Sequence, residues 1–184
     1  PSGTALSVEN AAILDVNGAT QSVGSLAIAP DAGVLLNGGH LTITGSGGGA
    51  VVQGSLTGTG SVTNIGTLRF TGDADLDITG TLTNTGVLDI MTWSGTLPPR
   101  FVNNGIVLDR SKVRVDSFLK SGNSFTLRIT GYSGHNYQLQ RSDGPSGSWQ
   151  DIGPAQPGTG AELTFSDSNG AGVSRRFYRI SVSP

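Results

Sequence analysis

Three segments of this 184-residue chain superpose at a spacing of 20: Val62-Thr63-Asn64-Ile65-Gly66-Thr67-Leu68, Leu82-Thr83-Asn84-Thr85-Gly86-Val87-Leu88 and Val102-Asn103-Asn104-Gly105-Ile106-Val107-Leu108. An apolar residue recurs at 62, 82 and 102, Asn at 64, 84 and 104, and Leu at 68, 88 and 108. Gly holds 66 and 86 but sits at 105 in the third copy. Twenty residues are too few for a pair of helices. They fit one coil of a β-solenoid, with three short strands and three turns. One coil cannot bury its own apolar face, whereas stacked coils share a continuous core. Within each coil the apolar residues alternate, as in Leu68 and Phe70, Leu76 and Ile78, Leu88 and Ile90, which puts them on the strand face turned to the axis. The pattern extends upstream with looser spacing through Leu6 and Val8, Leu14 and Val16, Leu26 and Ile28, Leu41 and Ile43. The period predicts about five or six coils between residues 5 and 110.

The turns follow from the same repeat. Gly is expected to supply positive-φ corners, and Asn64, Asn84 and Asn104 a hydrogen-bonded ladder along the stack. Gly47-Gly48-Gly49 reads as a loop or corner, because a phosphate cradle would need a Lys and a following helix.

Beyond about residue 111 the pattern stops and the strands lengthen. Val113 to Leu119, Phe125 to Thr130, Tyr137 to Arg141, Leu163 to Phe165 and Phe177 to Val182 read as strands. They are separated by turn signals such as Asp143-Gly144-Pro145 and Asn169-Gly170. The expected architecture is all-β: a short right-handed parallel β-helix over residues 1–111, then a small antiparallel sheet or sandwich module over 112–184. Such a module could also cover the open end of the solenoid, where strand edges are unpaired.

Composition narrows the function classes. The net charge is −2 with no basic stripe, which argues against a nucleic-acid partner. No apolar run approaches 18 residues, so no membrane span is expected. Cys is absent, which removes disulfides and thiolate metal sites. The 29 Gly follow no three-residue period, unlike collagen. The chain opens at Pro1 without Met or a signal peptide, which reads as a module cut from a longer protein. A Cys-free β chain rich in Gly, Thr and Asn suits a bacterial secreted or cell-surface setting.

Two resemblances add to this. Tyr137-Gln138-Leu139-Gln140, Ser148-Trp149, Phe165-Ser166-Asp167 and Arg176-Phe177-Tyr178-Arg179 resemble a C-terminal module of large secreted proteins of Verrucomicrobia and Planctomycetes. The resemblance covers roughly 50 residues as a repeat-like pattern and implies a secreted context without a chemistry. A β-helix followed by this tail also resembles, in architecture and composition, a β-helical family of carbohydrate-binding modules appended to gut-bacterial xylanases. It implies a non-catalytic, xylan-binding module covalently attached to a catalytic domain. No binding motif matches residue by residue, so no functional positions carry over.

Aromatic and charged side chains are the first candidates for binding, since sugars stack C–H faces on rings. Trp93 lies in a Gly/Pro-bearing segment that breaks the alternation. By the 20-residue register it aligns with Asp73, a polar position, so it is expected to be an exposed sugar platform. The other reading is that it packs against the C-terminal module or covers a corner. Arg69, Asp89 and Asp109 are expected to stack on one face, with Arg100, Arg110 and Lys112 nearby, forming a polar groove or a set of surface ion pairs. Tyr132 and His135 occupy a Gly-bounded loop that could line a site. Trp149 and Tyr137 read as core. Asp73, Asp75 and Asp77 are expected to share one outward strand face. This is a weak calcium candidate, because same-face carboxylates stand about 7 Å apart and cannot all chelate one ion.

No cofactor is otherwise expected. Catalysis is disfavoured. Asp89 and Asp109 one coil apart would superficially fit a retaining carboxylate pair, but no Ser-His-Asp or metal-ligand signature accompanies them. The leading expectation is therefore a module binding plant cell-wall polysaccharide, most of all xylan, for an attached glycoside hydrolase. A structural or adhesive solenoid stalk and a polysaccharide lyase fragment are the alternatives.

Overall fold

A computed structural model of the chain describes residues 3–45, 49–172 and 175–184. Gly47 and Gly48 of the triple-glycine segment lie outside the described residues. The chain forms two compact units, 1–110 and 111–184.

The first unit is a parallel β-solenoid of about five coils. Coil one is β1 (Ala5–Val8), β2 (Ile13–Asp15) and β3 (Thr20–Val23); coil two is β4 (Ser25–Ile28), β5 (Gly33–Leu35) and β6 (His40–Ile43). Coil three is β7 (Ala50–Val52), β8 (Ser55–Gly58) and β9 (Ser61–Asn64), and coil four is β10 (Thr67–Gly72), β11 (Asp75–Ile78) and β12 (Leu82–Asn84). Coil five has β13 (Val87–Trp93) and β14 (Phe101–Asn103), and β15 (Ile106–Leu108) begins a further turn. Strands from successive coils pair into three parallel sheets: β1-β4-β7-β10-β13-β15, β2-β5-β8-β11 and β3-β6-β9-β12-β14.

The apolar alternation is what closes each coil. Leu26 lies over Ala50, Ala50 over Leu68 and Leu68 over Leu88, all nearly inaccessible to solvent. Leu41, Val62 and Leu82 pile up likewise in the third sheet. Each such Leu or Val contributes about 1.5–3 kcal/mol by burial, and one continuous cluster runs through the unit.

The last coil departs from the 20-residue register. Val107, not Leu108, lies over Leu88, and Phe101, not Val102, lies over Leu82. Asn103, not Asn104, faces Asn84. The cause is a shortcut: coil five has no strand in the second sheet, and residues 94–100 cut the corner one residue short.

Asn64 and Asn84 are fully buried and form the expected ladder. Asn64 Nδ2 donates to Asn84 Oδ1 (2.8 Å) and to the Val87 carbonyl (2.8 Å), and Asn84 Nδ2 donates to Asn103 Oδ1 (2.7 Å). The ladder starts where Ile43 gives way to Asn64 in the next coil. Accordingly, Asn64 Oδ1 accepts no bond among the described residues.

The corner beside the ladder is a column of Gly24, Gly45, Gly66, Gly86 and Gly105. These glycines serve close approach rather than positive φ. A Cβ on Gly86 would lie 2.0 Å from the Gly66 carbonyl oxygen, and one on Gly105 would lie 2.2 Å from that of Gly86. The apparent displacement of Gly in the third repeat copy is the one-residue shortening itself.

The second unit packs two three-stranded antiparallel sheets face to face. These are β16 (Val115–Ser121), β17 (Ser124–Thr130) and β20 (Glu162–Asp167), and β18 (Asn136–Ser142), β19 (Gln150–Pro157) and β21 (Phe177–Ser183). Leu127, Ile129, Tyr137, Leu139, Leu163 and Phe165 form the core. Strand β19 has no counterpart in the sequence reading. Gly153 and Pro154 interrupt any alternation there; Pro is tolerated at an edge or a bulge, and β19 is an edge strand whose register with β18 shifts between Ile152 and Gln156.

A hydroxyl-bearing flank as the candidate functional site

The outward positions of the third sheet are almost all Ser and Thr. Leu41, Val62 and Leu82 point to the axis, so their neighbours in the strand point out. One file runs Thr20, His40, Ser61, with Thr81 and Arg100 next along it. The other runs Ser22, Thr42, Thr63, Thr83 and ends at Val102. Neighbours along a file stand one strand spacing apart, about 4.8 Å, and the files are about 7 Å apart. β-Branched Thr suits this pleated surface, and its stiff χ1 holds each hydroxyl in place.

All of these side chains are half-buried or exposed. Thr63 Oγ1 lies 3.3 Å from His40 Nε2, and Ser61 Oγ accepts the Thr81 backbone N–H at 3.3 Å. Among the described residues, the hydroxyls of Thr20, Ser22, Thr42, Thr81 and Thr83 bond to no other part of the chain. From Thr20 to Thr83 the flank carries no formal charge with His neutral; Arg100 supplies one at its far end. The other two flanks are mixed. The second sheet turns out Ile13, Asp15, Leu35, Thr57, Asp75 and Asp77, and the first turns out Ala27, Val51 and Arg69 beside Asp89.

The chain matches no family model, no curated protein and no solved structure.

Of the residues expected to form a binding site, only Arg100 belongs to this flank. Trp93 is not exposed. It is 6% accessible, lies 5.1 Å from Phe70 between ring centroids, and donates its indole N–H to the Ala74 carbonyl at 2.7 Å. A β-bulge explains the difference. Arg69 pairs with Asp89 but Thr71 pairs with Thr92, so β13 holds one extra residue there. Trp93 therefore lies opposite Gly72, not Asp73, and its ring turns inward.

Asp89 holds that bulge. Its Oδ1 accepts the Met91 N–H at 3.2 Å, and its Oδ2 accepts Arg69 Nε at 2.8 Å; it is 1% accessible. Asp109 does not stack on it, because Leu108 occupies that place. The expected stack of Arg69, Asp89 and Asp109 does not form; Arg69 instead pairs with the buried Asp89.

Asp73, Asp75 and Asp77 do not share a strand face. Asp73 precedes β11 and accepts the Ser94 hydroxyl at 2.9 Å, while Asp75 and Asp77 point outward on β11. Among the described residues no group of three or more His, Cys, Asp or Glu is placed to hold a metal ion.

In the second unit Tyr132 is half-buried, and its backbone N–H donates to the Tyr137 hydroxyl at 2.9 Å. Tyr137 is core, but Trp149 is not. Trp149 is half-buried, with the Arg179 guanidinium 4.3 Å from its ring centroid.

The tail pattern has a physical content that its spacing did not disclose. Asp167, 3% accessible, accepts Arg141 Nη1 on both oxygens at 3.0 Å, the Tyr178 hydroxyl at 3.0 Å and the Asn169 N–H at 3.1 Å, with Arg176 at 3.7 Å. Burial raises the Asp167 pKa, but these hydrogen bonds and the Arg141 charge outweigh it and hold the carboxyl below its ordinary value. Burial, then the hydrogen bond and charge of Asp167, push Tyr178 up to about 12. A carboxylate so fully engaged holds no proton for transfer near neutrality, and the network locks the two sheets together.

Its pH signature has a definite sign. The folded Tyr178 keeps its proton more tightly than the unfolded chain does. Its contribution is complete below about pH 10, the unfolded Tyr value, and is lost as pH rises toward about 12. The Asp167 contribution is present above about pH 3.9, the unfolded Asp value, and fades as pH falls through the lower folded value. Denaturant midpoints measured from pH 8 to 12 should fall steeply at the alkaline end for the natural chain and less steeply for Tyr178→Phe. Parallel curves would remove Tyr178 from this role.

Proposed function

We propose that this chain is a non-catalytic module that binds a neutral plant cell-wall polysaccharide along the third-sheet flank of its solenoid. The observation that supports this reading is the pair of in-register hydroxyl files, Thr20–His40–Ser61–Thr81 and Ser22–Thr42–Thr63–Thr83. Hydroxyls are both donors and acceptors, as are those of a sugar polymer, and a file of them can follow a repeating ligand. Xylan is the first polymer to try, on the resemblance to xylan-binding β-helical modules. In that setting the chain acts outside the cell, held to a glycoside hydrolase, and raises that enzyme's effective concentration on the polymer through modest contacts.

A binding role is also favoured over catalysis by the state of Asp89, whose oxygens are taken up by Arg69 and the β13 bulge. In affinity electrophoresis the chain is expected to be retarded by xylan in preference to β-glucan, mannan or pectin. Unchanged migration on all four gels would remove the proposal.

A further inference from the structure

The two files fix more than a surface. They set a direction, a step and a length. Along the strand each coil offers only two outward side chains, so a ligand lying that way meets two contacts and then a corner. Along the solenoid axis the same pair recurs in four successive coils: Thr20 and Ser22, His40 and Thr42, Ser61 and Thr63, Thr81 and Thr83. The step is one strand spacing, about 4.8 Å, close to the advance of one pyranose in an extended β-linked chain. The separation of the files, about 7 Å, suits the two hydroxyl-bearing edges of such a ring.

We propose that the flank binds an extended β-linked glycan running parallel to the solenoid axis, one sugar ring per coil, over four coils. This rests on the reading of the chain as a glycan-binding module. The flank is uncharged with His neutral over these four coils, which matches a neutral polymer. It offers no Phe, Tyr or Trp ring, so no single sugar is held strongly, and affinity comes from repetition. Five of its hydroxyls make no bond to other described residues and are open to a ligand. At the far end Arg100 and Val102 interrupt the files, which sets the four-ring limit. A helical α-linked chain cannot keep step with flat, evenly spaced files.

The full chain should be titrated calorimetrically with β-1,4-linked xylo-, gluco- and mannooligosaccharides of two to six rings, and with α-1,4-linked glucose oligomers of the same lengths. The expected result is affinity rising several-fold with each added ring up to about four and then levelling, with no binding of the α-linked series. The variant Thr42→Val/Thr63→Val/Thr83→Val keeps branched side chains in the same file. It should bind the best oligomer at least tenfold more weakly, since one net hydrogen bond is worth about fivefold, while its melting temperature falls by only a few degrees, the loss of the Thr63–His40 contact. Asp75→Asn on the second sheet should bind within twofold of the natural chain. Affinity that stops growing at two rings, equal binding of α-linked oligomers, or a triple variant that binds normally would overturn the inference. Retention of that triple variant on a polysaccharide gel would leave glycan binding standing and exclude this face; no retention of the natural chain on any gel would overturn both.

Discussion

Gly86→Ala is expected to unfold much of the solenoid, with its melting transition lowered by 10 °C or more. The added Cβ would lie 2.0 Å from the Gly66 carbonyl oxygen and 2.4 Å from that of Ile65, both backbone atoms of the coil before. No rotamer change relieves a contact with backbone. The coils must part instead, and at this corner they are joined by bonds from the Gly86 N–H to the Asn64 carbonyl (3.2 Å), from the Val87 N–H to Gly66 (2.8 Å) and from the Ile106 N–H to Gly86 (2.8 Å). Parting them also strains the adjacent Asn64–Asn84–Asn103 ladder, whose buried members Asn64 and Asn84 have no water to turn to. Overpacking alone costs about 1–3 kcal/mol, and disturbing a buried polar ladder adds about 1–3 kcal/mol. At roughly 4–8 °C per kcal/mol for a unit of this size, the shift is large. Gly144→Ala is the control, because a Cβ there meets nothing within 4 Å; it should melt within a degree or two of the natural chain. Calorimetric scans of both variants decide the matter, and a Gly86→Ala scan superposing on the natural one would show that the column is not a spacer.

What the sequence discloses here depends on whether a signal survives a one-residue change in register. The inward apolar residues do, because Leu68, Leu88 and Val107 are interchangeable in kind and any of them reads as core. The spacing of 20 was therefore enough to find the coils. It was not enough to place the last one. Asn103-Asn104 offers two Asn in a row, and the shortened coil uses the first, while the fixed spacing selects the second. Nor could it see the bulge at Asp89, where one extra residue flips every side chain after it and carries Trp93 from the surface into the core. The expected Trp platform failed because of the bulge, and the expected stacking of Asp109 on Asp89 failed because of the shortened coil. The hydroxyl flank was legible. Thr63 and Thr83 stand 20 apart in the very segments that revealed the repeat, as do Ser61 and Thr81 just before them. Ser and Thr, unlike rings and charges, are equally common as plain strand residues, so the repeat alone does not mark them as ligand contacts. In the second unit the core Tyr137 could be read from its strand pattern. Trp149 could not, because its partner Arg179 comes from a strand 30 residues on.

Trp93→Ala tests the corrected placement directly and separates structure from binding. With the indole on a loop, its removal would cost little stability and much affinity. In the core the opposite is expected. The ring packs against Phe70, and Gly95 lies so close on another side that a Cβ there would approach within 2.3 Å of it. Truncating a buried Trp costs about 3–5 kcal/mol through lost burial and the cavity left behind. It also leaves the Ala74 carbonyl without the donor that now meets it at 2.7 Å, which adds to the loss if water cannot enter. The solenoid transition should therefore fall by about 15 °C or more. Below that transition, where the coils remain stacked, the third-sheet files are intact, and retardation on a polysaccharide gel should equal that of the natural chain. Trp93→Phe keeps most of the apolar volume without the N–H and should fall between the two in stability. An undiminished melting temperature for Trp93→Ala, together with lost retardation in the cold, would return the indole to the surface and the binding site to the fifth coil.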